Sequence, residues 1–281
     1  MIGLDNEMPC QLRTLCQTLQ QLAPLELAES WDNVGLLVGD PDDSVWRVMT
    51  CLTITPPVVQ EAIQRECELV VVHHPLPFKP LQRITAESPP GRMLLQLIRA
   101  NAAIYSAHTA WDSAESGINQ QLAGSLRLQS VRPFHPATTN GGETEQAGPT
   151  VSVMGAGRFG DLQSPADLRS LATALQRFTG ASQVRCVGSA EKLCRRVGIA
   201  CGSGGSFLPV AIQSGCDVLV TGEASFHSCL EAETEDCPLI LLGHYASERF
   251  AMEMLADELR RQHPQLEIWP SQAEADPLSL P

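Results

Sequence analysis

The sequence predicts an α/β fold of two pseudo-symmetric lobes packed around a central metal cleft. Three observations carry that expectation. Short apolar runs of strand length alternate with helical patterns along most of the chain. The alternation contains an internal echo. The strands of both halves end in histidines and carboxylates, which a packed core has no use for at a strand tip.

In chain order, Leu12, Leu15, Cys16, Leu19 and Leu22 recur at helical spacing and give an amphipathic first helix ended near Pro24. Strands are expected at 48–54, 69–72, 103–106, 151–154, 196–201, 217–221 and 239–242. Helices are expected at 57–66, 91–100, 117–127, 165–178, 206–214, 224–234 and 246–262. Residues 136–149, PATTNGGETEQAGP, have loop composition and divide the chain roughly in half. The expected organisation is an N-terminal lobe over 1–135, a bridge over 136–150, a C-terminal lobe over 151–270 and a tail over 271–281 packed only at its edges.

The chain has 281 residues, 43% hydrophobic and 18% charged, enough to bury a sizeable core. Its net charge of −13 repels phosphate backbones and argues against nucleic-acid binding. The N-terminus MIGLDNEMPC lacks a basic leader, and no apolar run reaches membrane-spanning length. Ten cysteines form no CxxC and sit mostly in apolar contexts, the pattern of buried thiols in a cytoplasmic protein.

The echo pairs AIQRECELVVV (62–72) with AIQSGCDVLVT (211–221). Each reads as a helix end, a turn with Cys and an acid, then an apolar strand. The first strand delivers His73 and His74, the second Gly222 and Glu223. The next strand in each half ends in His-x-x-x-acid: His108 with Asp112, and His244 with Glu248. Coincidence between two ordinary α/β units is the competing account, and the shared details favour duplication.

Paired about a pseudo-twofold, the strand tips would gather His73, His74, His108, Asp112, Glu223, His244 and Glu248. Neutral imidazoles and ionised carboxylates suit zinc, manganese, iron, cobalt or nickel. Two carboxylates can clamp two cations about 3.5–4 Å apart. A single His-x-x-x-acid pair also caps helices or forms surface ion pairs, and only the set points to metal. Neighbouring side chains on a strand point to opposite faces, so His73 and His74 converge only if Pro75 stops the strand there. The loop CGSGGS (201–206) presents amides to an anion or makes a tight turn, with little to choose between the two. His227 reads as an acid/base group or a helix-surface residue. His135 and His263 read as solvated. Trp31 reads as a core anchor more than as a base-stacking ring.

The segments SWDNVGLLVGDP (30–41), HHPLPFKPL (73–81), YSAHTAWD (105–112), CGSGGSF (201–207), TGEASFHSCLEA (221–232) and GHYASE (243–248) together resemble the Nif-three-like family. Its members are also called GTP cyclohydrolase type-two homologues or dinuclear metal centre proteins. The resemblance implies two lobes around a paired metal site in a ring-shaped homohexamer, here the compact form without an inserted domain. It places the metal ligands at His73, His74, Asp112, His244 and Glu248, with His108 a neighbour. His108, Glu223 and His227 become the candidates for moving protons. Thr53 stands where relatives often carry Asp, and Ala110 where they often carry Asn, which weakens the expected support around the ligands. The function implied is a metal-dependent hydrolase of a small molecule or nucleotide, working through an acidified water. The alternative is a non-enzymatic metal-binding scaffold or metallochaperone-like protein.

Overall fold

A computed structural model describes residues 9–137 and 154–279. The chain begins with β1 (Cys10–Gln11) and α1 (Leu12–Leu22), whose buried face is Leu12, Leu15, Cys16 and Leu19. Next come β2 (Gly35–Val38), β3 (Ser44–Val45) and β4 (Arg47–Thr53). The helix α2 (Pro56–Gln64) opens on two prolines, which suit a first turn that has no use for their missing N–H. β5 (Leu69–His74), α3 (Pro89–Arg99), β6 (Ala103–Ser106) and α4 (His108–Ser113) follow. The Ser88 side chain caps α3 by accepting the Gly91 amide at 3.3 Å.

Beyond α4 the chain forms α5 (Ile118–Ser125), β7 (Gln129–Arg132), β8 (His135–Pro136), β9 (Gly155–Ala156) and β10 (Arg158–Asp167). Then come α6 (Leu168–Thr179), β11 (Arg185–Val187), β12 (Leu193–Ala200), α7 (Leu208–Gln213) and β13 (Val218–Thr221). Finally there are α8 (Phe226–Thr234), β14 (Leu239–Leu241), α9 (His244–Gln262) and β15 (Glu267–Pro270). α6 is bounded by an Asp167 cap on the Ser170 amide and by Gly180 in the left-handed region, where only glycine is unstrained.

Two compact units result: residues 1–110 with 251–281, and residues 111–250. The first holds a sheet in the order β15-β4-β5-β6-β2, parallel except for β2. Its core packs Met49, Val70, Val72 and Ile104 against Val58, Val59, Leu94, Leu97 and Trp269. The second holds the order β11-β14-β13-β12-β10-β7, with a parallel centre of β12, β13 and β14 flanked by antiparallel strands. Alternate residues of that centre enter two cores: Val197, Ile199, Val218, Val220 and Ile240 join α5 and α6, while Leu219, Leu239 and Leu241 join α7 and α8. Burial on both faces is why these strands read as unbroken apolar runs.

The mixed α/β class is as expected, and several details differ. Residues 111–135 group with the second unit because β7 pairs with β10. Residues 251–270 group with the first because β15 joins β4. The expected strand over 151–154 and nearly all of the 136–150 bridge lie outside the described residues. The tail does more than touch an edge. The Glu61 carboxylate accepts from Trp269 Nε1, Ser271 Oγ and the Ala273 amide at 3.1, 2.6 and 2.9 Å. Glu274 accepts the Leu52 and Thr53 amides at 3.0 and 2.6 Å. Trp31 lies mostly in water, and His263 is buried against Thr18 Oγ1 at 2.9 Å.

The internal echo has a structural counterpart. In α2–β5 the Cys67 amide reaches the Ala62 carbonyl, and in α7–β13 the Cys216 amide reaches Ala211. Both turns pass through a left-handed residue, Glu66 and Gly215. The following acid then clamps two consecutive amides at the start of the neighbouring strand. Glu68 takes those of Trp46 and Arg47 at 2.7 and 2.8 Å, and Asp217 those of Arg195 and Arg196 at 2.7 and 2.8 Å.

Candidate metal-binding residues

In the first unit, β5 carries its ladder through His74, pairing it with Thr53, so Pro75 ends the strand one residue later than convergence of the rings would require. The rings meet all the same, with His73 and His74 centroids 5.0 Å apart. His108 lies 5.1 Å from His73 and 5.6 Å from His74. Each of the three imidazoles can offer a nitrogen within 4.8 Å of the other two. His73 is buried, and Ser106 Oγ donates to its carbonyl at 2.7 Å.

Two of these rings are oriented by neighbours. Thr53 Oγ1 is 2.7 Å from His74 Nδ1, so the hydroxyl provides the contact that orients this ring. His108 Nδ1 is 2.7 Å from Asp32 Oδ1. Asp32 also accepts Thr109 Oγ1 at 2.5 Å and the Asn33 amide at 2.8 Å. Burial alone would raise the Asp32 pKa, but the hydrogen bonds from His108, Thr109 and Asn33 outweigh it and hold the carboxyl down to about 2. His108 sits at φ 27°, outside the usual range of a residue with a Cβ, and starts α4 there.

In the second unit, His244 and Glu248 lie one turn apart on α9, with Nε2 and Oε2 3.2 Å apart. His244 Nδ1 meets Glu223 Oε1 at 2.6 Å. The Glu248 hydrogen bond, helped by Glu223 and opposed by burial, raises the His244 pKa to about 9. Asp112 receives the Cys201 thiol on Oδ1 at 3.2 Å. Burial first, then the Asp112 and Glu248 carboxylates, push that thiol well above its ordinary pKa, so it stays protonated and donates. Asn119 ties the two together, donating to the Asp112 carbonyl at 3.1 Å and accepting the Cys201 amide at 2.8 Å. Arg158 is fully buried and closes the end of α4 through the Ser113 and Ala114 carbonyls at 3.2 and 2.7 Å.

The glycine loop is built for close approach. A Cβ on Gly202 would sit 2.2 Å from Glu248 Oε1 and 3.4 Å from His244 Nε2, and its φ is +58°. The Gly202 amide donates to Ser247 Oγ at 2.9 Å, and that of Gly205 to the Glu223 carbonyl at 3.2 Å. Two of the amides offered to an anion are thus engaged within the protein.

The donor set fits divalent metal. Imidazoles converge in the first unit, and a nearly buried carboxylate faces an imidazole in the second. Of the residues expected to move protons, His108 lies with the imidazoles, Glu223 orients His244, and His227 is exposed beside Phe226 at 5.8 Å. Asp32, Asn119, Cys201 and Arg158 contribute here without having been expected to. Asp32 had a signal, since it stands inside the SWDNVG motif.

Known proteins supply the remaining context. A GTP cyclohydrolase 1 type 2 homolog from Clostridium acetobutylicum is 30% identical over 252 residues, 90% of each chain. NIF3-like protein 1 from Drosophila melanogaster is 33% identical, covering 95% of this chain and 88% of its own. The crystal structure of Staphylococcus aureus protein SA1388 superposes with a TM-score of 0.84 at 27% identity, over 97% of this chain and 99% of that one. Residues 10–277 match the family model described as Duf34/NIF3 (NGG1p interacting factor 3), and the chain belongs to that family.

Proposed function

We propose that this protein binds two divalent metal ions through His73, His74, Asp112, His244 and Glu248, and that it is a metal-dependent hydrolase. The observation that carries the reading is the meeting of three imidazoles with nitrogens within 4.8 Å of one another, two of them held by Thr53 and Asp32. Bound cations would supply a Lewis acid and lower the pKa of a water. His74, fixed by the Thr53 hydroxyl, and His244, fixed by Glu223, present their second nitrogens as ligands. Asp32 favours the proton on His108 Nδ1, which makes Nε2 the basic nitrogen that takes and returns a proton during turnover. Substrates are small molecules or nucleotides attacked at a purine C8, an amide or a phosphoester. Relatives bear the name GTP cyclohydrolase 1 type 2 homolog, so GTP is the first compound to test. The metal is zinc, manganese, iron, cobalt or nickel. A homohexameric ring and a cytoplasmic location belong to the same proposal; among the described residues no helix is long and apolar enough to cross a membrane.

The test is elemental analysis of protein purified without chelator, beside Asp112→Ala and His244→Ala. About two ions per chain in the wild type, lost in both variants, is the expected result. Wild type that carries no metal and takes up none would end the reading. His108→Ala should keep its metal and lose turnover; retained turnover would remove the proton role.

A further inference from the structure

Two large aromatic side chains beside the imidazoles are left in water. Trp31 is 59% exposed and Phe78 48%. Their centroids are 6.0 Å apart with planes inclined at 49°. Each also lies 6.0 Å from the His108 ring. Two neighbouring rings left in water offer their faces to a stacking partner.

The loops that carry them are pinned. Asn33 Nδ2 donates to the Pro77 carbonyl at 2.8 Å, joining the segment after Trp31 to the segment before Phe78. Asp32, next to Trp31, is tied to His108 and to the Thr109 hydroxyl. Each ring therefore stands one residue from an anchored neighbour and is held facing water.

We propose that Trp31 and Phe78 form the platform on which a planar nitrogen heterocycle stacks while its reacting atom reaches the imidazole cluster. The proposal rests on reading His73, His74 and His108 as part of the chemical centre, and it names the substrate class of that centre. A fused two-ring heterocycle is the size of an indole, and the Trp31 ring on which it would lie is centred 6.0 Å from the His108 ring. Every heterocyclic base has a π-face, so stacking selects the class of ring without fixing its substituents. The exposed segment after Phe78 carries Lys79 and Arg83, which tolerate an anionic substituent in a chain of net charge −13.

The experiment is ligand-observed saturation-transfer NMR and calorimetry on the full chain, as purified and after chelator treatment. The probes are guanosine, adenosine, 6-hydroxymethylpterin and nicotinamide mononucleotide, with ribose as the ring-free control. The expected result is binding of at least one heterocycle through its ring protons, with no binding of ribose. Trp31→Ala and Phe78→Ala should weaken it about five- to a hundredfold, while Trp31→Phe keeps most of it. Metal content should be the same in all variants, which also reports that they fold. Absence of binding to all four probes, or equal affinity in wild type and both alanine variants, would overturn the platform. So would a change of oligomeric mass in those variants without a change in ring binding, which would make the patch a contact between copies. Normal metal content with failed ring binding rejects the platform alone. Protein that is metal-free as purified, takes up no added metal and still binds rings through Trp31 rejects the hydrolase reading alone.

Discussion

His244 shows how the environment of one side chain sets a condition on metal uptake. Its pKa is raised to about 9, chiefly by the Glu248 hydrogen bond, so the metal-free ring is a cation at neutral pH. An imidazole ligates metal only when it is neutral, so binding has to expel that proton. Titrating chelator-treated protein with zinc at pH 7.5 should release close to one proton per chain from this ring, read in buffers of different ionisation enthalpy. Affinity should rise with pH and level off above about 9. The linkage sign is the opposite for the metal-free fold: a raised pKa stabilises fully below the ordinary value of 6.5 and is lost as pH rises through about 9. Metal should therefore stabilise most on the alkaline side. Thr53 allows a second test, since its hydroxyl is the contact on His74 Nδ1. Thr53→Val should lower metal affinity by about 10–100-fold with little change in melting temperature. Gly202→Ala puts a methyl on the Glu248 carboxylate at positive φ, and should cost more than about 1 kcal/mol in urea unfolding as well as metal. The candidate histidines stand out in the sequence because they follow apolar runs. Their supports do not, because Asp32, Asn119 and Arg158 act across tens of residues and leave no local pattern.

Among the elements, those with apolar periodicity were legible to within a few residues, such as α1, β5, β6 and β13. The ones that escaped lack a repeat to read. β10 is RFGDLQSPAD, with polar residues and a proline in an antiparallel strand that needs only one buried face. α4 has six residues, too few for a helical period. Polar neighbours misled at His263 and the large apolar ring itself at Trp31, because packing is decided by partners far along the chain. The echo was legible since it appears twice, and the structure adds its reason: the acid after each cysteine gathers two amides at the preceding, neighbouring strand. Glu68→Gln and Asp217→Asn replace a charged acceptor with a neutral one at each clamp. Each should destabilise by about 1–3 kcal/mol in urea unfolding, and similar losses at the two sites would support a common role.

At the scale of the whole molecule, the sequence suggested two successive lobes, and the chain instead leaves its first unit after residue 110 and returns to it at 251. Length and composition carry no trace of such a return. β15 covers the flank of β4, and Glu61 and Glu274 fasten the segment behind it. Truncation after Gln262 should therefore leave the second unit protected from hydrogen exchange and expose amides of β4 and β5. Uniform protection in the truncated protein would show that the return is dispensable. The same feature bears on biosynthesis. On the ribosome, β4 emerges early but its neighbour β15 is made some 210 residues later, more than ten seconds at ordinary elongation rates. Through that interval the β4 edge of the nascent sheet presents unpaired backbone N–H and C=O groups, a template for pairing with other chains, so a stalled or truncated message would release a species prone to aggregate.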